Sequence, residues 1–480
     1  MSPEATRGEQ NNMRPLEILT SIILAIHLAY PLTGKKRPPA VGLLPAFALV
    51  VIATHANVEG MRWQMIPLYA FTAVMLLISI PTSFRTVQTD ASPRWPLRVI
   101  LNLSLLTLSM ALPILLPVPI IPAPYGPYRV GTYTYELTDS SRQELYSGKG
   151  EARRFQIQIW YPSEATSTDE RVPWMANADI FAPAISEYLD LPPFFLDHLA
   201  LVKVPAYKEA PIAPANEGYP VILFSHGWNG FNAQNTGQAL HLASHGYVVV
   251  GVQHTYGAVV TVFEDGTIAK NNPSALPDNA PDDEYEIAAR KLADQWAGDI
   301  GFAIDFLGKQ NDDTNSLFYR SLDISRVGVY GHSTGGGAAI LFCGTDPRCK
   351  ALLGQDPFMR PVSHDVLESG TSQPSFFMFS QEWADIPDSR NNQLFNPFYS
   401  KSAGTYGAVF IEGTAHYDFS DLPLLSPLAP QLGLKGPING KHVTVIINDY
   451  LLSFFDMTLK DVSTDLFENQ SPYAEVRPKR

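Results

Sequence analysis

Ser333 stands in Gly331-His332-Ser333-Thr334-Gly335, directly after the apolar run Val327-Gly328-Val329-Tyr330. A strand running into Gly-x-Ser-x-Gly and then a small-residue helix start (Gly336-Gly337-Ala338-Ala339) has the layout of a nucleophile elbow. The turn is so tight that the positions two before and two after the serine must be nearly free of side chain. Gly331 and Gly335 meet that need. The helix start beneath Ser333 favours developing negative charge. The chemistry implied is attack on a carbonyl by a serine hydroxyl.

Such a serine needs a base within hydrogen-bond reach, and the base needs an acid to fix its tautomer. Of eleven histidines, His416 sits in the exit loop Gly413-Thr414-Ala415-His416 of a late strand, Val409-Phe410-Ile411. That placement gives the chain order serine, acid, histidine. His332 belongs to the elbow and packs beside it; His245, His254, His364 and His442 read as structural or exposed. Two positions compete for the acid. Asp356 ends the strand Ala351-Leu352-Leu353-Gly354-Gln355, and Asp385 and Asp388 follow the next strand, Phe376-Phe377-Met378-Phe379. Topology alone leans toward Asp385. A tetrahedral oxyanion needs two backbone N–H groups. Thr334, after the nucleophile, supplies one. Trp228, in the loop Ser225-His226-Gly227-Trp228-Asn229-Gly230 after an early strand, suits the other.

The elements that must hold these residues are apolar strands alternating with helices. Strands are predicted at Arg154–Tyr161, Val221–Ser225, Tyr247–Gln253, Arg326–Tyr330, Ala351–Gln355, Ser375–Ser380 and Ala408–Glu412. The clearest helix is Glu286–Leu307, where Ala289, Leu292, Trp296, Ile300, Ala303 and Leu307 recur at steps of three and four. A second, Val443–Leu459, closes the chain. This alternation predicts an α/β fold, a mostly parallel sheet with helices on both faces.

The N-terminal part differs. Residues 15 to 122 are almost free of acids, and four apolar stretches stand out: Leu16–Leu32, Val41–Ala56, Met65–Ile80 and Val99–Ile121. Their spacers carry Lys35-Lys36-Arg37, Arg62, and Arg85, Arg94 and Arg98. We read 1–122 as a membrane region of about four transmembrane helices, 123–465 as the catalytic domain and 466–480 as a tail. The excess of Lys and Arg in the first and third spacers places those spacers in the cytoplasm and the catalytic domain outside it. Expected partners are therefore a lipid bilayer and a small ester or lipid. The net charge of −13 argues against nucleic acid. Two cysteines, Cys343 and Cys349, fit no zinc site, and a short-loop disulfide or two free thiols remain open. The segment Ile180–Val202 is apolar and helix-compatible, suited to capping the site, to touching the bilayer or to ordinary packing.

The segments Val221–Gly227 and Leu242-Ala243-Ser244-His245-Gly246-Tyr247-Val248-Val249 closely resemble the plasma-type platelet-activating factor acetylhydrolases. So do Gly331–Gly336, Asp356 and Gly413–His416. The likeness spans roughly 126 to 455 and includes Gly126–Gly131 and Trp160-Tyr161-Pro162, which resemble bacterial members. The resemblance implies an α/β-hydrolase needing no metal or cofactor, a lipase or esterase that prefers short or oxidised acyl groups. It also implies that the acid is Asp356 and that the oxyanion donors are Trp228 and Thr334. Two departures flank the acyl pocket: Thr334 stands where many members carry a bulky aromatic, and Trp228 where leucine is common. The competing readings are a general carboxylesterase or polyester hydrolase, and a membrane sensor or transport protein whose hydrolase domain binds a ligand.

Overall fold

The computed structural model describes residues 13–35, 37–83, 95–166, 169–468 and 471–479. It divides into two compact units. One comprises Met1–Pro119 with Asp197–Val202 and Leu425–Leu428, and the other comprises the remainder.

In the first unit the apolar stretches become helices Pro15–Ala29, Leu44–Val58, Ile66–Ser83 and Trp95–Leu115. Leu24, Ala48, Met65, Leu68 and Leu106 form its interior. The outward faces are also apolar: Ile22, Ile26, Phe47, Val50, Leu77, Ile100 and Leu108 are all exposed. Segments Pro15–Thr33 and Pro96–Leu115 are long and apolar enough to cross a membrane, whereas Leu44–Val58 and Trp63–Ser79 are shorter. The fourth apolar stretch was expected to run to Ile121, but its helix stops at Leu115, two residues past Pro113 and ahead of Pro117 and Pro119. Arg85 and Arg94 of the third spacer lie outside the described residues. At one end of this unit Arg62 forms a fully buried pair with Glu17, 2.7 Å apart.

The second unit is built on an eleven-stranded sheet. In chain order its strands are β1 (Arg129–Gln143), β2 (Ala152–Ser163), β3 (Arg171–Pro173), β4 (Lys203–Lys208), β5 (Tyr219–Ser225) and β6 (Val248–Gln253). A separate hairpin, β7 (Val260–Val262) and β8 (Ile268–Lys270), follows. The sheet then continues with β9 (Leu322–His332), β10 (Cys349–Gln355), β11 (Ser375–Ser380), β12 (Thr405–Ile411) and β13 (Val476–Pro478). The spatial order is β13-β12-β11-β10-β9-β5-β6-β2-β1-β4-β3. From β6 through β5 and β9 to β12 every pairing is parallel, and β1, β2, β3 and β13 bring antiparallel pairings at the edges. The central strands β5 and β6 are buried at every residue, as a strand covered on both faces must be.

Alternate residues of β9 show the two faces. Val327 and Val329 join the core with Ile300, Ala303 and Ala339, from helices Asp282–Asp312 and Thr334–Thr345. A Cβ on Gly328 would meet Phe455, on helix Gly440–Leu459, at 2.6 Å. The six recurring apolar residues of the long helix are all buried. That helix extends beyond Glu286–Leu307 at both ends, starting at Asp282, because Asp282, Asp283 and Glu284 complement its N-terminal dipole. The segment read as a tail is partly ordered: Val476–Pro478 pairs with β12 as an edge strand. Three residues carry too little periodicity to announce a strand.

Candidate active site

Four loops at the C-terminal ends of β5, β9, β10 and β12 supply the site. Ser333 follows β9 with φ 56° and ψ −123°, outside the conformations an ordinary side chain adopts. The elbow glycines explain how the turn closes. A Cβ on Gly331 would lie 2.3 Å from the Gly335 carbonyl oxygen, and one on Gly335 would lie 2.1 Å from that of Ser225. The Ser333 N–H donates to Gln355 O at 3.0 Å, and the Ser333 carbonyl accepts from Phe358 N–H at 2.9 Å. The elbow is thus stitched to the segment that carries Asp356.

Asp356 lies just past β10, fully buried, with φ 41° although it precedes a proline, a position that ordinarily favours extended backbone. Its carboxylate accepts from the Ser380 N–H (2.8 Å), the Ser380 hydroxyl (2.6 Å) and His416 Nδ1–H (3.0 Å). Asp385 instead accepts from Gln381 Nε2. Neither it nor Asp388 bonds His416. The structure therefore brings Asp356 to His416 and leaves the competing pair aside. Holding Ser333 and Asp356 at positive φ costs about 1–3 kcal/mol each, strain of the kind that gathers at functional sites.

His416 begins a short turn after β12. Its backbone N–H donates to Glu382 Oε2, and Asp418 steadies the loop by accepting from Ala415 and Gly436 N–H groups. The imidazole packs against the rings of both Trp383 and His332. Its side chain is 17% exposed while Asp356 is wholly enclosed, so solvent reaches the histidine and not the acid. Ser333 Oγ makes no hydrogen bond among the described residues. Such bonds are commonly long in a free enzyme and tighten around substrate.

Burial sets the electrostatics. It pushes Asp356 up to about 7 against the two Ser380 donors, and the Glu382 charge acts in the same upward direction. It pushes His416 down to about 4, with Glu382 opposing. A neutral imidazole results, which is the form that can accept a serine proton.

The expected oxyanion donors flank Ser333. Thr334 opens helix Thr334–Thr345, where N–H groups have no intrahelical acceptor. Gly227 lies against Ser333, since a Cβ there would be 3.2 Å from Ser333 Cβ, and Trp228 follows it. The Trp228 N–H meets no protein acceptor among the described residues. Trp228 also lines a cleft of about 670 Å³ with Asn229, Tyr188, Lys270 and Leu276. The Tyr188 hydroxyl reaches that of Tyr417, beside His416, at 3.0 Å.

Sequence reasoning missed Ser380, Glu382 and Trp383, and it placed His332 only beside the elbow. Ser380 closes a strand and reads as a helix cap, with nothing to mark it as a donor to Asp356. His332 accepts from Gln234 Nε2 at Nδ1 and donates from Nε2 to His416 O, so it buttresses the base. Burial holds it down to about 3 and therefore neutral. Away from the sheet, Glu17, His55 and Glu59 bring ligand-type atoms within 4.8 Å of one another. Arg14 and Arg62 occupy the Glu17 carboxylate, which suits an ion-pair cluster better than a cation site.

Among solved structures, the fold is similar to a ferulic acid esterase from Streptomyces cinnamoneus, with a TM-score of 0.61 and 23% identity, covering 76% of this chain and all of that one. The platelet-activating factor acetylhydrolase of Cavia porcellus is 29% identical over 360 residues, covering 71% of this chain and 78% of that protein. That of Gallus gallus is 26% identical over 373 residues, covering 71% and 83%. A putative phospholipase A2 of Schizosaccharomyces pombe is 25% identical over 383 residues, covering 66% and 86%. The family model described as platelet-activating factor acetylhydrolase, isoform II, matches residues 117–472, so the chain belongs to that family and is a serine ester hydrolase.

Proposed function

We infer that this enzyme cleaves short-chain acyl esters of lipid-like alcohols from a membrane-anchored position. Ser333 Oγ attacks the ester carbonyl while His416 takes its proton. The Trp228 and Thr334 N–H groups hold the oxyanion. The tetrahedral intermediate collapses, and His416 returns the proton to the leaving alcohol. Asp356 keeps the imidazole in the working tautomer and stabilises its charge. Water then repeats the attack on the acyl-enzyme. The observation that carries this reading is the Asp356–His416 hydrogen bond beside the Ser333 elbow, with a Trp228 N–H that meets no acceptor among the described residues.

The relatives named for platelet-activating factor and phospholipid hydrolysis support a lipid ester as substrate. A division between 1–122 and the catalytic domain, with the former as a multi-pass anchor, is supported by the apolar outward faces of the N-terminal helices, which water would disfavour. The Cys343–Cys349 disulfide answers the alternative left open by the sequence, and such bonds persist in oxidising compartments. It supports a catalytic domain outside the cytoplasm.

Hydrolysis of p-nitrophenyl acetate, butyrate and a long-chain ester, beside Ser333→Ala, tests the chemistry. Activity that falls with acyl length and vanishes in the variant is expected. Undiminished turnover in Ser333→Ala sinks the assignment.

A further inference from the structure

Beneath the oxyanion loop lies a second serine, histidine and aspartate in hydrogen-bonded series. Ser225 Oγ is 2.9 Å from His254 Nε2, and His254 Nδ1 is 2.9 Å from Asp299 Oδ2. All three are fully buried, so no ester reaches Ser225. Asp299 is held by Arg153 through Nε (3.0 Å) and Nη2 (2.6 Å), and the Arg153 charge keeps the carboxyl ionised against the cost of its burial. Trp296 stacks on His254 with centroids 4.2 Å apart and planes 5° apart. The His254 side chain is thus fixed on three sides.

Its backbone is used for something else. The His254 N–H donates to His226 Nε2 at 3.1 Å. Nε2 must therefore be unprotonated, which puts the His226 proton on Nδ1. Nδ1 lies 2.7 Å from the Gly227 carbonyl oxygen, and Gly230 N–H donates to the same oxygen at 2.9 Å. In a trans peptide the carbonyl and the following N–H point in opposite directions. No peptide bond among the described residues is cis. A Gly227 carbonyl pinned toward His226 thus turns the Trp228 N–H the other way.

We propose that His226 is the positioning residue of the oxyanion hole, orienting the Gly227–Trp228 peptide through its Nδ1–H, and that the backbone N–H of His254, a residue anchored by the buried Ser225–His254–Asp299 array, holds it in the required tautomer. This rests on the assignment of Ser333 as nucleophile and Trp228 N–H as oxyanion donor. The pinned peptide needs no reorganisation when charge develops, which is the source of an oxyanion hole's effect.

The test compares His226→Asn, His226→Gln and His226→Ala in the full-length enzyme, with Ser333→Ala as reference. Asparagine places an N–H where Nδ1 was; glutamine places its amide at the Nε2 position. Readouts are kcat, KM and affinity for a trifluoromethyl ketone, whose adduct with a serine mimics the tetrahedral state. His226→Ala is expected to lose kcat on the order of 10²-fold with KM nearly unchanged and to bind the ketone correspondingly more weakly. His226→Asn should exceed His226→Gln by about tenfold or more in kcat, a contrast that stands even if the alanine variant fails to fold. Equal activity of the asparagine and glutamine variants, or a change confined to KM, overturns the proposal while leaving the nucleophile in place. Activity surviving in Ser333→Ala overturns the underlying assignment and the proposal with it.

Discussion

Trp383 lies flat on His416, with ring centroids 4.5 Å apart and planes 4° apart. The His332 ring is also 4.5 Å away, at 33°. The flat contact with Trp383 favours the plane in which Nδ1 meets Asp356. Trp383→Ala removes one wall and lets the base swing. We expect kcat to fall about tenfold with KM little changed, since small misplacement of a catalytic group is costly. Trp383→Phe keeps a flat partner and should recover most of the rate. A kcat for the alanine variant within twofold of the parent would show that stacking does not orient the base.

The Asp356–His416 pair titrates as a unit, so its apparent values belong to the pair. Two neighbours act on it with opposite sign. The Glu382 charge raises both groups, so Glu382→Gln should move the acid limb of the kcat/KM profile to lower pH. Ser380 donates to the ionised Asp356 and lowers it. Ser380→Ala should therefore push Asp356 higher still, from about 7, and move the limb to higher pH. The pH profiles of the two variants measured side by side decide this; shifts in the same direction would contradict it.

Much of this site can be read from residue order, because its geometry depends on local features. The elbow needs Gly331 and Gly335 where any Cβ would strike backbone, and such a need is visible as a motif. Strands β5, β6, β10 and β11 announce themselves as apolar runs because both faces are covered. The choice between Asp356 and Asp385 is different in kind. It turns on which strand-end loop reaches His416, a distance that spans 60 residues of chain and leaves no periodic trace. Ser380, Glu382 and Trp383 are invisible for the same reason: each acts across a strand, at a position whose local signal is that of a helix cap or a surface turn. The pairing of Cys343 with Cys349 was equally undecided, because a spacing of six residues permits a bridge without requiring one.

That bridge joins the end of the elbow helix to the start of β10, the strand that ends beside Asp356. Both cysteines are buried. Closing so short a loop stabilises by about 2 kcal/mol through the entropy of the unfolded chain. Replacing both residues with serine should lower the denaturation midpoint accordingly and leave kcat at 25 °C nearly unchanged. A loss of activity without loss of stability would mean that the bridge orients the acid directly.

Trp228 serves the site through two separable parts. Its backbone N–H is set by the peptide and survives substitution, whereas its indole lines the cleft beside Tyr188 and Leu276. Trp228→Leu therefore keeps the proposed oxyanion donor and enlarges the cleft, the space we propose for the acyl chain. Acetate hydrolysis should stay within a few-fold of the parent. Longer chains should gain, because one methylene accommodated in an apolar pocket is worth about 1–3 kcal/mol in transition-state binding. The kcat/KM ratio of hexanoate to acetate is then expected to rise at least tenfold on a p-nitrophenyl ester series. An unchanged ratio would place the acyl chain elsewhere, and a uniform loss across the series would mean that the indole itself holds the peptide in position.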